Sequence, residues 1–229
     1  MKKKVVALLP MKANSERVKG KNFKLLAGKP LFQWILDALL SDKNIDQIVI
    51  NTDAKSILIE NGLQESDRVV IRERKPELCG DLVSMNLILA DDIEHVPADT
   101  YLMTHTTNPL ITGNTISDAL NQYHNNLDKH DSLFSVNKIQ TRFYREDMTP
   151  VNHDPDNLIR TQDLEPWFEE NSCLFIFSAA SFSLTNARIG SKPMMYITPA
   201  LESVDIDEPE DWEMACALAE RLVAKEVKS

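Results

Sequence analysis

The chain is poor in the residues that would staple it, sink it into a bilayer or draw it to a polyanion. Only three cysteines occur in 229 residues, Cys79, Cys173 and Cys216. They are far apart, odd in number and without metal-ligand spacing, which excludes a disulfide framework and a structural zinc cluster. Reduced, mostly buried thiols in a cytoplasmic protein are the expectation. No apolar run approaches the ~20 residues a membrane span needs. Met1-Lys-Lys-Lys ahead of residues 5–9 has the look of a secretory leader, but the run is short, Pro10 ends it and charge resumes at Lys12. Basic residues are in deficit, 25 Lys and Arg against 35 Asp and Glu, for a net charge of −10. A surface of that sign repels nucleic acid and anionic lipid, so neither is expected as a partner. A small anion in a local basic pocket stays open. Neither G-x-x-x-x-G-K-[ST] nor G-x-G-x-x-G occurs, which sets aside the common ATPase loop and the dinucleotide fingerprint.

What is present suffices for a core: 43% of residues are hydrophobic and 26% charged. The length suits one α/β domain spanning 1–229. Strand and helix patterns alternate through the first half. Residues 5–9, 45–51, 69–71, 101–104 and 132–136 read as strands, and 31–40, 54–61, 82–94 and 112–127 as helices. Such alternation predicts a mainly parallel sheet with helices on both faces. Ligands on such sheets sit beyond the carboxyl ends of the strands, so the loops at 10–22, 52–53, 72–81 and 104–110 share one rim. The pattern breaks over 137–171, a polar stretch rich in Asp, Asn, Pro and Arg that also carries Trp167 and Phe168. It is too long for a simple connection and is read as an arm at a subunit contact, making a homodimer. Residues 174–177 and 194–197 resume strands, and 211–223 is the closing helix.

Against the acidic background, the loop after the first strand is cationic: Lys12-x-x-Ser15-x-Arg17-x-x-x-Lys21-Asn22. Four cations in ten residues, Lys19 included, repel one another unless an anion sits among them, and a loop between strand and helix offers backbone N–H groups to the same anion. Near the other end, Asp205 and Asp207 alternate around Ile206. In an extended segment both carboxylates face one way, a pair suited to Mg²⁺ alongside substrate phosphates. Glu208, Glu210 and Asp211 fit the N-terminal end of the last helix instead. Asp53 either reaches a metal or caps the helix from Ala54. Arg74, in a stretch running to Ser84, offers a rigid fork to a base or a phosphate, and His105 lies on the same rim. Arg160 and Gln162 form a polar cluster within the arm.

In this order the motifs resemble the acylneuraminate cytidylyltransferase family, from about Val5 to Leu218. The opening signature of that family matches Lys12, Ser15, Arg17, Lys21 and Asn22; its nucleotide-reading stretch, Arg74 to Ser84; its strand-end segment, His105-Thr-Thr-Asn-Pro109; its late asparagine, Asn171; its metal segment, Asp205-Ile206-Asp207. Departures are Lys12 for the usual Arg, His105 for Gln, and Ile111 where an Arg commonly follows the Pro-Leu pair. The resemblance implies a Rossmann-like nucleotidyltransferase fold and CMP transfer from CTP to the hydroxyl of an acidic sugar, with release of pyrophosphate. It further implies that Lys12, Arg17 and Lys21 neutralise the triphosphate and that Asp205 and Asp207 hold Mg²⁺. Ser15, Asn22, Arg74 and Ser84 would bind the nucleotide. His105, Arg160, Gln162 and Asn171 would line the acceptor pocket. Another acidic acceptor, a deoxyoctulosonate or a phosphonate, and a non-catalytic nucleotide-binding module are the rival readings.

Overall fold

The computed structural model describes residues 3–13 and 17–226. Strand β1 (Val5–Leu8) is buried throughout, as an all-apolar strand must be when both faces of its sheet are covered. A two-residue hairpin, β2 (Leu25–Leu26) and β3 (Lys29–Pro30), turns through Ala27 and Gly28, both at positive φ, and feeds α1 (Leu31–Ser41). Then come β4 (Gln47–Thr52), α2 (Lys55–Glu60), β5 (Val69–Glu73), α3 (Met85–His95), β6 (Thr100–Met103) and α4 (Gly113–Asn125). The second half contains β7 (Ser132–Ile139), β8 (Trp167–Phe177), α5 (Ala179–Thr185), β9 (Pro193–Ile197) and α6 (Pro209–Glu226).

Among the described residues, seven strands form one sheet in the order β5-β4-β1-β6-β8-β7-β9. The pairs β4–β5, β1–β4, β1–β6 and β7–β9 are parallel, and β8 alone runs against its neighbours β6 and β7. The sheet is therefore mainly parallel, as expected, with one reversed strand. That reversal follows from connectivity: β8 returns from the arm directly beside β7, as the second leg of a hairpin must.

Successive side chains of β1 enter opposite cores. Ala7 joins Ile48, Ile50 and Leu102 under Phe32, Ile35 and Leu39 of α1 and Ile116 and Leu120 of α4. Val6 and Leu8 join Val49, Tyr101 and Met103 under Leu89 of α3 and Phe182 of α5. Helices thus cover both faces. A third cluster docks α6: Trp212, Ala215 and Ala219 pack on Leu26, Leu31, Leu110 and Ile206. Burying Ile206 fixes the two aspartates that flank it.

The segment around Ile206, read from its alternation as extended, joins no ladder among the described residues. Ile206 N donates to Thr107 O at 2.9 Å, beyond the end of β6, so the segment meets the rim loop and not the side of a strand. The arm is partly sheet: β7 and β8 run on as a ribbon, 136–139 against 167–170. Trp167 stacks on Phe143 with centroids 5.1 Å apart. Phe168 lies with Phe134, Met194, Met195 and Ile197 around an apolar groove on the β9 edge. No helix among the described residues is long and apolar enough to cross a membrane.

Candidate active site

At the carboxyl ends of β1 and β6, a cavity of about 260 Å³ is lined by Lys12, Arg17, Lys21, Asn22, Asp81, Met85, His105, Thr106 and Thr107, together with Pro10 and Met11. Its floor is the loop after β1. Met11 still bridges to Thr52, and Asp53 Oδ1 accepts from Ala13 N at 2.6 Å. Asp53 thus anchors the loop, and its side chain does not cap α2. Gly20, at φ +61°, turns the chain into the short helical turn Lys21–Phe23. Asn22 then ties two loops together: its Nδ2 donates to Lys12 O at 2.8 Å, and its Oδ1 accepts from Thr106 Oγ1 at 2.6 Å.

The amino-terminal cations meet the carboxylates from the other end of the chain here. Arg17 Nη2 lies 3.1 Å from Asp207 Oδ1, and its Nη1 2.8 Å from Glu208 Oε1. These contacts, the Glu208 hydrogen bond foremost, raise the guanidinium pKa further. Lys21 is buried; its ammonium donates to Ile206 O and lies 3.7 Å from Asp207 Oδ1. Burial lowers its pKa, and Asp207 and Asp205 oppose that shift. Lys12 pairs with Asp81 at 2.9 Å.

The aspartate pair is held from both sides. Asp211 Oδ2 accepts from Asp207 N at 3.0 Å and Glu208 N at 2.8 Å, which starts α6 and locks the turn before it. Asp205 Oδ1 is buried with no hydrogen-bond donor among the described residues. Burial raises the Asp205 carboxyl, the Asp207 charge adds to this, and the Thr107 hydroxyl and Lys21 oppose it. Two carboxylates one residue apart, one with a buried oxygen lacking a donor, are a donor set that suits a hard divalent cation such as Mg²⁺. A second acidic group, Asp91, Glu94 and His95, lies close enough to hold a cation, but Lys75 and Arg72 already pair with Asp91 at 2.6 and 2.9 Å. It is a salt-bridge network bracing α3 against β5.

His105 is half-buried on the cavity wall. Burial first, then the positive charges of Arg188 and Lys21, lower its pKa to about 4, with Asp207 opposing. The ring is neutral at neutral pH.

Other predicted residues lie elsewhere. Ser84 caps α3, its Oγ accepting from Asn86 N, one residue from cavity-lining Met85. Arg74 is buried and turned inward: Nε donates to Asn51 Oδ1 at 2.9 Å, and Nη2 to Met11 O at 2.9 Å and Asn51 O at 2.8 Å. It holds β1 and β4 in place beneath the loop instead of facing the cavity. Asn171 is buried, its Nδ2 donating to Asn137 Oδ1 and Thr198 Oγ1 at 2.9 and 2.5 Å, so it ties β8 to β7 and to the residue after β9. Arg160 and Gln162 are on the arm; Arg160 pairs with Asp163 at 2.7 Å, and Gln162 O accepts from Gln140. None of these five lines the cavity, and neither do Asp205 and Asp207, although Asp207 contacts its lining residues Arg17 and Lys21. Ser15 lies outside the described residues. Asp81, Met85 and Thr106 line the cavity without having been singled out as site residues. Only the position of their loops on the rim could have marked them.

A family model described as cytidylyltransferase matches residues 6–226. The N-acylneuraminate cytidylyltransferase of Streptococcus agalactiae serotype III (strain NEM316) is 25% identical over 225 residues, which cover 91% of this chain and 52% of that protein. The chain thus spans about half the length of the streptococcal relative. The CMP-N,N'-diacetyllegionaminic acid synthase of Legionella pneumophila subsp. pneumophila (strain Philadelphia 1) is 29% identical, with 96% of each chain covered. Among solved structures, 4-diphosphocytidyl-2C-methyl-D-erythritol synthase from Anaerococcus prevotii superposes with a TM-score of 0.65 at 14% identity, over 94% of this chain and 95% of that one. A CMP:2-keto-3-deoxy-manno-octonic acid synthetase complexed with CTP superposes at 0.63 with 15% identity, over 97% and 99%. These two likenesses establish the fold.

Proposed function

The chain belongs to the cytidylyltransferase family, and from that membership we propose that it transfers CMP from CTP to the hydroxyl of an acidic, nonulosonate-type sugar, releasing pyrophosphate. One observation carries the reading. The cationic loop after β1 lines the cavity and meets the aspartate pair before α6 at its border: Arg17, a lining residue, lies 3.1 Å from Asp207, which stands just outside the lining. A triphosphate requires both groups, and a simple anion site would need only the loop.

The chain's own groups divide the work. Lys12, Arg17 and Lys21 exchange carboxylate and carbonyl partners for phosphate oxygens, so positive charge is already aimed where pyrophosphate departs. Asn22 keeps the loop in shape through Lys12 O and Thr106, so the cations do not have to be ordered during the reaction. Asp205 and Asp207 would hold Mg²⁺, whose chemistry is to neutralise phosphate oxygens as a Lewis acid. A histidine held near 4 is a poor base at neutral pH but a good hydrogen-bond acceptor, so His105 is assigned to orient the acceptor. The ribbon with exposed Trp167 and Phe168 supports a homodimer, and the free thiols support a reducing, cytoplasmic setting.

Incubation of the protein with CTP, Mg²⁺ and separately N-acetylneuraminate, N,N'-diacetyllegionaminate and deoxyoctulosonate tests the reading by mass spectrometry. One CMP-linked acid and stoichiometric pyrophosphate are expected. CTP bound without transfer to any acid would leave a nucleotide-binding module instead.

A further inference from the structure

The three loop cations that line the cavity all have close oxygen partners: Lys12 has Asp81, Arg17 has Asp207 and Glu208, and Lys21 has Ile206 O. Arg188 does not. It lies just past α5, which ends at Asn186 in the left-handed conformation. Among the described residues its guanidinium donates to no oxygen. The nearest carboxylate is Glu170 Oε1 at 3.7 Å, and Nη1 meets only Met103 Sδ at 3.9 Å. The group lies over an aromatic face, with Cζ 3.8 Å from the centroid of Phe175. Its side chain is only 22% exposed.

A mostly buried cation without a close anion is costly. Stacking on an aromatic face recovers part of that cost and holds the plane still, while leaving the edge donors free. The position matters as much. Met103 ends β6 two residues before cavity-lining His105, and Arg188 N donates at 3.4 Å to Asn86 Oδ1, next to cavity-lining Met85. Arg188 does not itself line the cavity; it touches the neighbours of His105 and Met85 from behind the wall they form, and His105 feels both its charge and that of Lys21.

We propose that Arg188 is the specificity-determining residue for the acceptor: its fork binds the carboxylate of the acidic sugar, with Glu170 as the weak partner it gives up. This inference rests on the function proposed above. A planar, immobilised guanidinium matches a carboxylate with paired hydrogen bonds, which an ammonium does not reproduce. In a 2-keto sugar acid the carboxylate and the attacking hydroxyl share one carbon, so holding the first positions the second.

The test uses whichever of the three acids the wild-type protein converts, together with the methyl ester of that acid. Arg188→Met is expected to raise KM for the acid by about ten- to a hundredfold, the loss appropriate to a charge-assisted pair. KM for CTP should stay within about twofold, and the preference for acid over ester should disappear. Arg188→Lys, which keeps the charge and loses the fork, should fall between the two, and it serves should the methionine variant fail to fold. Unchanged acid KM and unchanged discrimination against the ester in either folded variant would overturn the assignment while leaving the cytidylyltransferase reading intact. A wild-type protein that converts none of the acids would overturn that reading, and this inference with it.

Discussion

Asp207 shows what single residues contribute here. Its carboxylate faces both Arg17 and Lys21, so in the described arrangement it occupies charge that a triphosphate would use. Both it and Arg17 are about half exposed, and pairs of that kind add little to stability. Asp207→Asn is therefore expected to lower CMP transfer by about a hundredfold or more, as losing a metal donor would, while melting within a few degrees of wild type. In EDTA the same variant should bind CTP more tightly, because two cations are freed. Titration calorimetry without metal reads this, and weaker metal-free binding would contradict the competition. Lys12, Arg17, Lys21, Asn22 and His105 were legible because chemistry and rim position coincide in them. Arg74 and Asn171 looked equally functional, yet an arginine satisfying Met11 O and Asn51 O and an asparagine satisfying Thr198 have the same letters as ligand-binding ones. Which way a polar side chain turns is decided by unpaired groups contributed from distant strands. Arg188 carried no local signal at all.

At the scale of elements, the N-terminus of α6 does two jobs. Asp211 accepts from the backbone of Glu208 and Asp207, and those donors hold its pKa below the usual carboxylate value. A folded pKa below the unfolded one means that the contribution is complete above the unfolded value, near 4, and disappears as pH falls through the folded value. Asp211→Ala should cost about 1 kcal/mol at neutral pH, or a drop of about 2–4 °C in Tm for a chain of this size. The gap between variant and wild type should narrow as melts are repeated toward about pH 3. A gap of constant size would mean that the side chain acts by packing and not by charge. The same variant loosens Asp207 and should raise the magnesium requirement of the reaction. Regular elements were readable wherever apolar period and length agreed, as in β1, α1 and α4. The β2–β3 hairpin and α5 were not, because two-residue strands and a helix with Ser178, Ser181 and Ser183 around few apolar positions carry almost no periodicity. Residues 203–206 alternate as a strand would, but alternation describes one buried face and does not supply a partner strand.

For the whole molecule, the α/β alternation was enough to anticipate a two-sided sheet, while the reversed β8 depended on where the arm returns. That arm leaves Trp167 and Phe168 each 41% exposed, and Met195 and Ile197 about half exposed beside them on an edge strand. An open apolar edge of this kind calls for a cover. On the proposed homodimer, Phe168→Glu is expected to shift the protein from dimer to monomer in light scattering, with the sheet intact by circular dichroism. A wild-type protein that is monomeric at micromolar concentration would refute the dimer.

Arg17 and Glu208 are 191 positions apart and touch. A site wired in this way is incomplete while the chain is being made. The first strand and its basic turn leave the ribosome early, yet the acids that complete them arrive only after almost everything between has been translated and has settled. On the proposed function, no partial product would consume nucleotide, and a nick that frees the final helix should extinguish turnover while the sheet survives.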